Sequence, residues 1–406
     1  MKVAILTIGD EVIEGKIVNT NAELLSKTLE GSNFHVSMHL VVRDDEKDIL
    51  AGLSFLYQDV DVIVTTGGLG PTADDLTKEI CAKYFQEDLI LFPEEYEKIK
   101  LYFLKSKGSI TENNQKQAYF IKGATVLDNM NGTAPGMIYE KAGKVIVNLP
   151  GPPKELEPML YQGVIPYLSK KNNDQIYRKQ YRLMNIGESD AETMIKPIMK
   201  KYSQIKVSPY ASVGVIDYII TTPNIGDKTM FYEACEEFEC VLKDFIIGDW
   251  SKSIQEIVVQ LLKAKSLKLA VAESCTGGLV TSTLVEVPGS SEVLKEGIVT
   301  YSNEAKVMRL GVKEITLKQY GAVSKQVAAE MAKGVINSSG ANIGVSITGI
   351  AGPSGGSLEK PVGLVYSAIC FNGKTIVFEN YFNGDRNKIR LRATIHILYE
   401  LYKILK

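Results

Sequence analysis

Short apolar runs that end in a glycine- or serine-rich turn and pass into a helical pattern recur along this chain. They constrain its fold more than any other feature. VAILTI (residues 3–8), HVSMHLVV (35–42) and DVIVTT (61–66) read as strands. Asn21 to Glu30, closed by Gly31 as C-cap, and the stretch DDEKDILAGLSFLYQ read as the helices between them. Strands alternating with helices predict a mostly parallel sheet, with sites gathered at the carboxyl ends of its strands. The same rhythm returns from Ser253. Helix IQEIVVQLLKA is followed by strand KLAVA, the loop ESCTGG, strand GIVTYS and helix NEAKVMRLG. Then come helix SKQVAAEMAKGV, strands NIGVSIT, VGLVYSAICF and KTIVFENYF, and a C-terminal helix.

Between these halves the pattern changes. YRKQYRLMN, ESDAETMIKPIMKKY, VSPYASVGVIDYIITT and FYEACEEFECVLKDF predict a small α+β module of strand, helix, two strands and helix. At 406 residues the chain exceeds one ordinary core. The expected domains are 1–168, 169–250 and 251–406. A KH-like RNA-binding module needs a GXXG loop with basic flanks. GESD is acidic, so a spacer or dimerisation role is expected of this module.

Composition excludes several classes. The formal net charge is −2 and no basic run stands out, which disfavours direct nucleic-acid contact. The five cysteines are scattered without a C-x-x-C pair, which fits neither a disulfide framework nor a zinc site and suits the cytoplasm. The N-terminus lacks a signal-peptide pattern, and the uncharged stretch 340–358 is too rich in Gly, Ser and Thr to span a membrane. There are three histidines: His35 and His39 in a strand pattern, and His396 off the apolar face of the last helix. A Ser-His-Asp triad is therefore not expected, and hydrolytic chemistry needs another base.

AESCTGG supplies one candidate. Ser274 falls where a strand passes into a helix, and unpaired N–H groups and the helix dipole there can stabilise an oxyanion. Gly277 and Gly278 leave room for a substrate. Taken alone, Ser274 reads as a plain helix cap. TYSNEAK supplies the partner. With Asn303 as N-cap, Lys306 stands at the third helical position, where the helix end and burial disfavour its ammonium form. A neutral Lys306 can take the proton of Ser274. Tyr301 would orient the amine or relay the proton, or else sit at the core edge. SITGIAGPSGG brings Thr348 and a glycine-rich loop containing Gly352. NGDR offers Arg386 as an anion ligand or a solvated loop arginine.

In the N-terminal half, TTGGLGPTADDLT places Gly67, Gly68, Gly70 and Thr72 where backbone N–H groups can approach phosphate. Asp74 and Asp75 follow as an acidic helix start, suited to a divalent metal or to capping. Asp10, Glu11 and Asn19 follow the first strand on the same sheet edge, and PGPPKEL adds a turn able to close over a ligand.

Together AESCTGG, TYSNEAK, ITGIAGPSGG and the GDR turn resemble the nicotinamide-nucleotide amidohydrolase domain of the CinA family, across residues 251–406. The N-terminal half resembles the molybdopterin-binding fold, and the three-part arrangement resembles full-length CinA. The fold implied is α/β: a three-layer molybdopterin-binding-like domain, a KH-like α+β module and an α/β amidohydrolase domain. The resemblance implies deamidation of nicotinamide mononucleotide (NMN) with Ser274 as nucleophile, Lys306 as base and Tyr301, Thr348 and Arg386 in support, without a cofactor. For the N-terminal domain it implies ADP-ribose pyrophosphatase activity with a divalent metal (Mg, Mn or Co) and K+, the metal held by Asp10, Glu11, Asp74 and Asp75. A homodimer and small-molecule nucleotide partners are expected, with neither membrane nor direct nucleic-acid contact. Two alternatives use the same features: a pterin-nucleotide enzyme of molybdenum cofactor assembly, and a non-catalytic interaction protein of competence or DNA repair.

Overall fold

The computed structural model describes residues 1–105, 110–172, 176–222 and 228–406. They divide into two compact units, residues 1–176 and 177–406, the second holding both the middle module and the C-terminal domain.

In the first unit a six-stranded sheet runs in the order His35–Val42, Lys2–Ile8, Val62–Thr66, Lys144–Leu149, Gly136–Lys141, Thr125–Leu127. The first four strands pair in parallel and the last two antiparallel. Strand Lys2–Ile8 is apolar on both faces because both are covered. Ala4, Leu6 and Ile8 enter one core cluster, while Val3 and Ile5 enter another. Side chains alternate across a strand, so two clusters on alternate residues mean helices on both sides, a three-layer α/β arrangement. Two helix boundaries differ from the sequence reading. Helix Thr20–Gly31 includes Gly31, because Asn19 caps its start and Ser32 takes the C-cap. Helix Thr77–Phe85 begins after Asp74 and Asp75, which lie in the preceding turn rather than in its first turn.

The second unit contains two sheets. The middle module is an antiparallel sheet in the order Lys206–Ser212, Val215–Thr222, Tyr177–Met184, Ile246–Gly248. Helices Glu188–Lys201 and Lys228–Leu242 pack on it around Tyr218, Phe231 and Phe238. The short strand Ile246–Gly248 escaped the sequence reading; it has three residues and no alternation to betray it. The C-terminal sheet runs Leu294–Val299, Leu269–Glu273, Ile343–Gly349, Leu364–Phe371, Lys374–Tyr381. Its first three strands are parallel and the last two antiparallel. Leu269 and Val271 face one core, Ala270 and Ala272 the other. No helix among the described residues is long and apolar enough to cross a membrane.

Candidate active site

The C-terminal site forms where parallel strand Leu269–Glu273 ends beside its two neighbours. Ser274 continues that strand by one residue, donating its backbone N–H to Ile347 O at 3.0 Å. Next to it, strand Leu294–Val299 turns into helix Asn303–Leu310. Ser302, not Asn303, caps that helix, accepting from Ala305 N, so Lys306 is its fourth residue rather than its third.

One helical turn carries the Lys306 side chain back under the strand ends. Its Nζ lies 3.0 Å from Ser274 Oγ, 2.8 Å from Thr300 O and 3.2 Å from Tyr301 O. Lys306 is 1% exposed. Burial holds its amine below the usual lysine range, and no carboxylate among the described residues pairs with it. This is the arrangement of a base next to a nucleophile. The neighbouring Cys275 does not compete, because burial pushes its thiol up to about 12 and keeps it protonated at neutral pH.

The expected oxyanion site at the start of helix Leu279–Val285 is already filled. Glu273, fully buried, accepts from Gly278 N, Val280 N, Thr281 N and Thr281 Oγ1 at 2.7–3.1 Å. Those N–H groups and the positive helix end therefore serve a carboxylate of the protein itself, and Ser274 N–H serves the sheet. Glu273 had no role in the sequence reading, although it lies within AESCTGG. Gly278 makes the turn possible at φ +93°, a backbone that side chains rarely adopt. Gly277 lies beneath Arg390, whose guanidinium donates twice to Thr276 O and ties the loop to the last helix. Arg390 was also missed; a helical arginine gives no sign in sequence of the loop it will reach.

The remaining candidates surround the dyad without joining it. Tyr301 meets the amine through its backbone carbonyl, not its phenol. The ring is 64% exposed, and its hydroxyl accepts from Arg386 at 3.3 Å. Arg386 also donates to Gly352 O at 2.7 Å, so Tyr301, Gly352 and Arg386 form one linked rim. Thr348 is buried, and its hydroxyl donates to Ala322 O at 2.9 Å, a structural bond. Two buried hydroxyls nearer the dyad, Thr276 Oγ1 and Thr300 Oγ1, have no hydrogen-bond partner among the described residues.

In the first unit a cavity of about 430 Å³ opens at the carboxyl ends of the parallel strands. It is lined by Glu11, Gly67, Gly68, Gly70, Asp74 and Asp75, with Asp44 and Glu155 added. A Cβ on Gly67 would lie 2.1 Å from Ile8 O, and one on Gly68 2.3 Å from Thr77 Oγ1, so only glycine fits this turn. Three candidates behave differently from expectation. Asp10 lies outside the lining and pairs with Arg43 at 3.3 Å. Thr72 donates its N–H and hydroxyl to Asp75, so both are bound up in the turn. Asn19 caps a helix and donates to Thr7 Oγ1. Asp44, unnoticed in the acidic run that opens a helix, accepts from Asp10 N at 3.0 Å. Burial, with Glu11, Asp10 and Asp74 nearby, raises its carboxyl above the ordinary range. Among the described residues no three His, Cys, Asp or Glu side chains converge as a ready metal cage. The lining still offers the hard oxygen donors that magnesium uses, one or two carboxylates completed by substrate phosphate and water.

Comparison with known proteins covers both units. A family model described as the CinA C-terminal domain matches residues 251–405, and one described as "Probable molybdopterin binding domain" matches residues 4–170. A Clostridium botulinum protein named as competence-damage inducible is 46% identical over 393 residues, 96% of each chain. A CinA-like protein of Kosmotoga olearia is 46% identical over 401 residues, 98% of this chain and 97% of its own. The crystal structure of a competence/damage inducible protein from Agrobacterium tumefaciens matches 39% of this chain and all of its own, at 42% identity and a TM-score of 0.37.

Proposed function

The chain belongs to the CinA family, and from that premise we propose that its C-terminal domain hydrolyses the carboxamide of nicotinamide mononucleotide. The observation that carries the reading is the buried Lys306 amine 3.0 Å from Ser274 Oγ, with no histidine beside it. Ser274 Oγ attacks the carboxamide carbon as its proton passes to Lys306 Nζ. The C–N bond then breaks, and the nitrogen leaves as ammonia carrying that proton. A nicotinoyl ester on Ser274 remains. Water, deprotonated by Lys306, cleaves the ester, and the proton returns to Ser274 Oγ with release of nicotinate mononucleotide. Arg386, on the rim, would receive the phosphate of the substrate.

For the first unit the proposal is hydrolysis of ADP-ribose to AMP and ribose 5-phosphate. Gly67 and Gly68 let the turn approach a diphosphate. Glu11 and Asp74 would hold a divalent ion, with K+ as a further requirement of the family resemblance. Such an ion, when bound, neutralises the charge of the diphosphate. The match of residues 4–170 to the molybdopterin model favours a second reading of this unit, a pterin-nucleotide enzyme. Incubation with NMN and ADP-ribose tests both proposals. Ammonia and AMP are the expected products, and EDTA should stop AMP release while sparing ammonia. Ammonia release that needs a metal would overturn the serine-lysine mechanism. Tight molybdopterin binding without AMP release would favour the second reading.

A further inference from the structure

Within the second unit a cavity of about 330 Å³ lies where the middle module meets the last helix, Arg386–Leu405. The module supplies Asn185 and Ile186, just past strand Tyr177–Met184, and Gly214 from its hairpin turn. That turn presses on the helix so closely that a Cβ on Gly214 would lie 2.9 Å from Ile395 Cγ2. The facing wall is Tyr381, Phe382 and Asn383, which close the last strand, with Arg392, His396 and Tyr399 of the helix. The proposed hydrolysis uses none of these residues. The same helix donates from Arg386 to Gly352 O and from Arg390 to Thr276 O, so one element borders both this cavity and the loops beside Ser274.

Arg392 decides what the cavity can hold. It is partly exposed, and its one hydrogen bond among the described residues runs from Nη1 to Asn383 O. No carboxylate there pairs with it, and its Nε and Nη2 are without a partner. That edge of a guanidinium presents two parallel N–H donors, the geometry a carboxylate accepts. None of the lining residues is Asp or Glu. His396 adds no second positive charge. Burial holds its imidazole below the ordinary histidine range, and its Nε2 faces Glu400 at 3.7 Å. Glu400 is itself buried and paired with Lys403 at 2.7 Å. The charge to be met is therefore a single positive one. It matches a monoanionic carboxylate better than a phosphate monoester, which carries nearly two negative charges at neutral pH. The side chains of Asn185 and Asn383 are exposed, so the polar groups of the cavity are open to an entering molecule. Its other walls are the rings of Tyr381, Phe382, His396 and Tyr399, which suit a planar ring packed against their faces and edges.

We propose that this cavity binds a small aromatic carboxylate, with the carboxylate on the Nε–Nη2 edge of Arg392 and the ring among Tyr381, Phe382 and Tyr399.

Ligand-observed NMR titration of the full chain tests it with hydrocinnamate, its neutral amide hydrocinnamamide, and phenethyl phosphate. The wild-type protein should bind the carboxylate about tenfold or more tightly than the amide, the scale of one hydrogen bond between charged groups. It should also bind the carboxylate more tightly than the phosphate. Arg392→Gln should bind carboxylate and amide alike. Arg386→Gln, altered on the rim of the Ser274 site, should keep the full preference. Equal wild-type affinity for carboxylate and amide would overturn the proposal without needing any variant to fold. So would an Arg392→Gln protein that retains the preference, or loss of the preference in Arg386→Gln instead. Tighter binding of the phosphate would overturn the choice of a carboxylate.

Discussion

Lys306 Nζ lies 3.0 Å from Ser274 Oγ, with its other two contacts made to the carbonyl oxygens of Thr300 and Tyr301. A neutral amine has two N–H donors and one lone pair. In that form the two carbonyls accept the N–H groups and the lone pair is left for the hydroxyl proton of Ser274, whereas an ammonium donates to all three oxygens. Burial is what favours the base form.

The pH profile of ammonia release follows from this. Activity requires the deprotonated amine, so kcat/KM should rise with pH through a single limb lying below the ordinary lysine value of about 10.4. Ser274→Ala should lower kcat at least ~10³-fold at every pH while leaving the circular dichroism spectrum unchanged. A limb at or above 10.4, or retained turnover in the alanine variant, would count against the dyad.

Glu273→Gln tests the buried cap. The carboxylate accepts four hydrogen bonds, three of them from backbone N–H groups at the start of a helix. A glutamine side chain has one oxygen for these donors and presents an NH2 to the rest. Stability in denaturant should fall by about 3 kcal/mol, and kcat should fall more than KM rises, because the turn carrying Ser274 loses its anchor. An unchanged denaturation midpoint would show that the cap is dispensable.

Tyr301→Phe separates the phenol from the carbonyl. The phenol is bonded to Arg386, and the carbonyl alone meets Lys306. Removing the hydroxyl should therefore raise KM for NMN by about two- to fivefold, the scale of one hydrogen bond, with kcat nearly constant. Steady-state kinetics decide this, and a kcat loss of two orders of magnitude would restore the proton-relay role.

Lys78 makes the stability of the first unit depend on pH. It is 3% exposed, donates to Gln117 O at 2.7 Å and lies over the Phe120 ring at 4.3 Å. Burial brings its amine down to about 7. The folded-state value lies below the unfolded value of about 10.4, so between these limits the unfolded chain binds more protons. Stability should rise with pH across about 7 to 10.4. It should be lost as pH falls through that window, and this group adds no further dependence below it. Denaturant titrations should show the slope diminished in Lys78→Met; an identical slope would exclude Lys78 as its source.

Much of this was written in local patterns. The alternating strands, the glycine turns at Gly67–Gly68 and Gly277–Gly278, and the Ser274 and Lys306 junctions follow from short-range preferences that neighbouring residues carry between them. The absence of a suitable histidine narrowed the choice of base, and four motifs in combination pointed to the CinA family. Composition and spacing could not say where long side chains end. Glu273 and Lys306 leave the backbone 33 residues apart in sequence, yet adjacent parallel strands bring their junctions together. That pairing set the amine of one residue against Ser274 Oγ and made the other a filled helix cap. Arg390 reaches the loop after Ser274 from 114 residues beyond Thr276, and Asp10 turns to Arg43 instead of the cavity. The local sequence determined the strands, turns and candidate chemistry, because those depend on residues within a few positions of each other. Tertiary packing decided which donors were already satisfied, such as the N–H groups held by Glu273, because hydrogen-bond saturation depends on neighbours brought together by the fold.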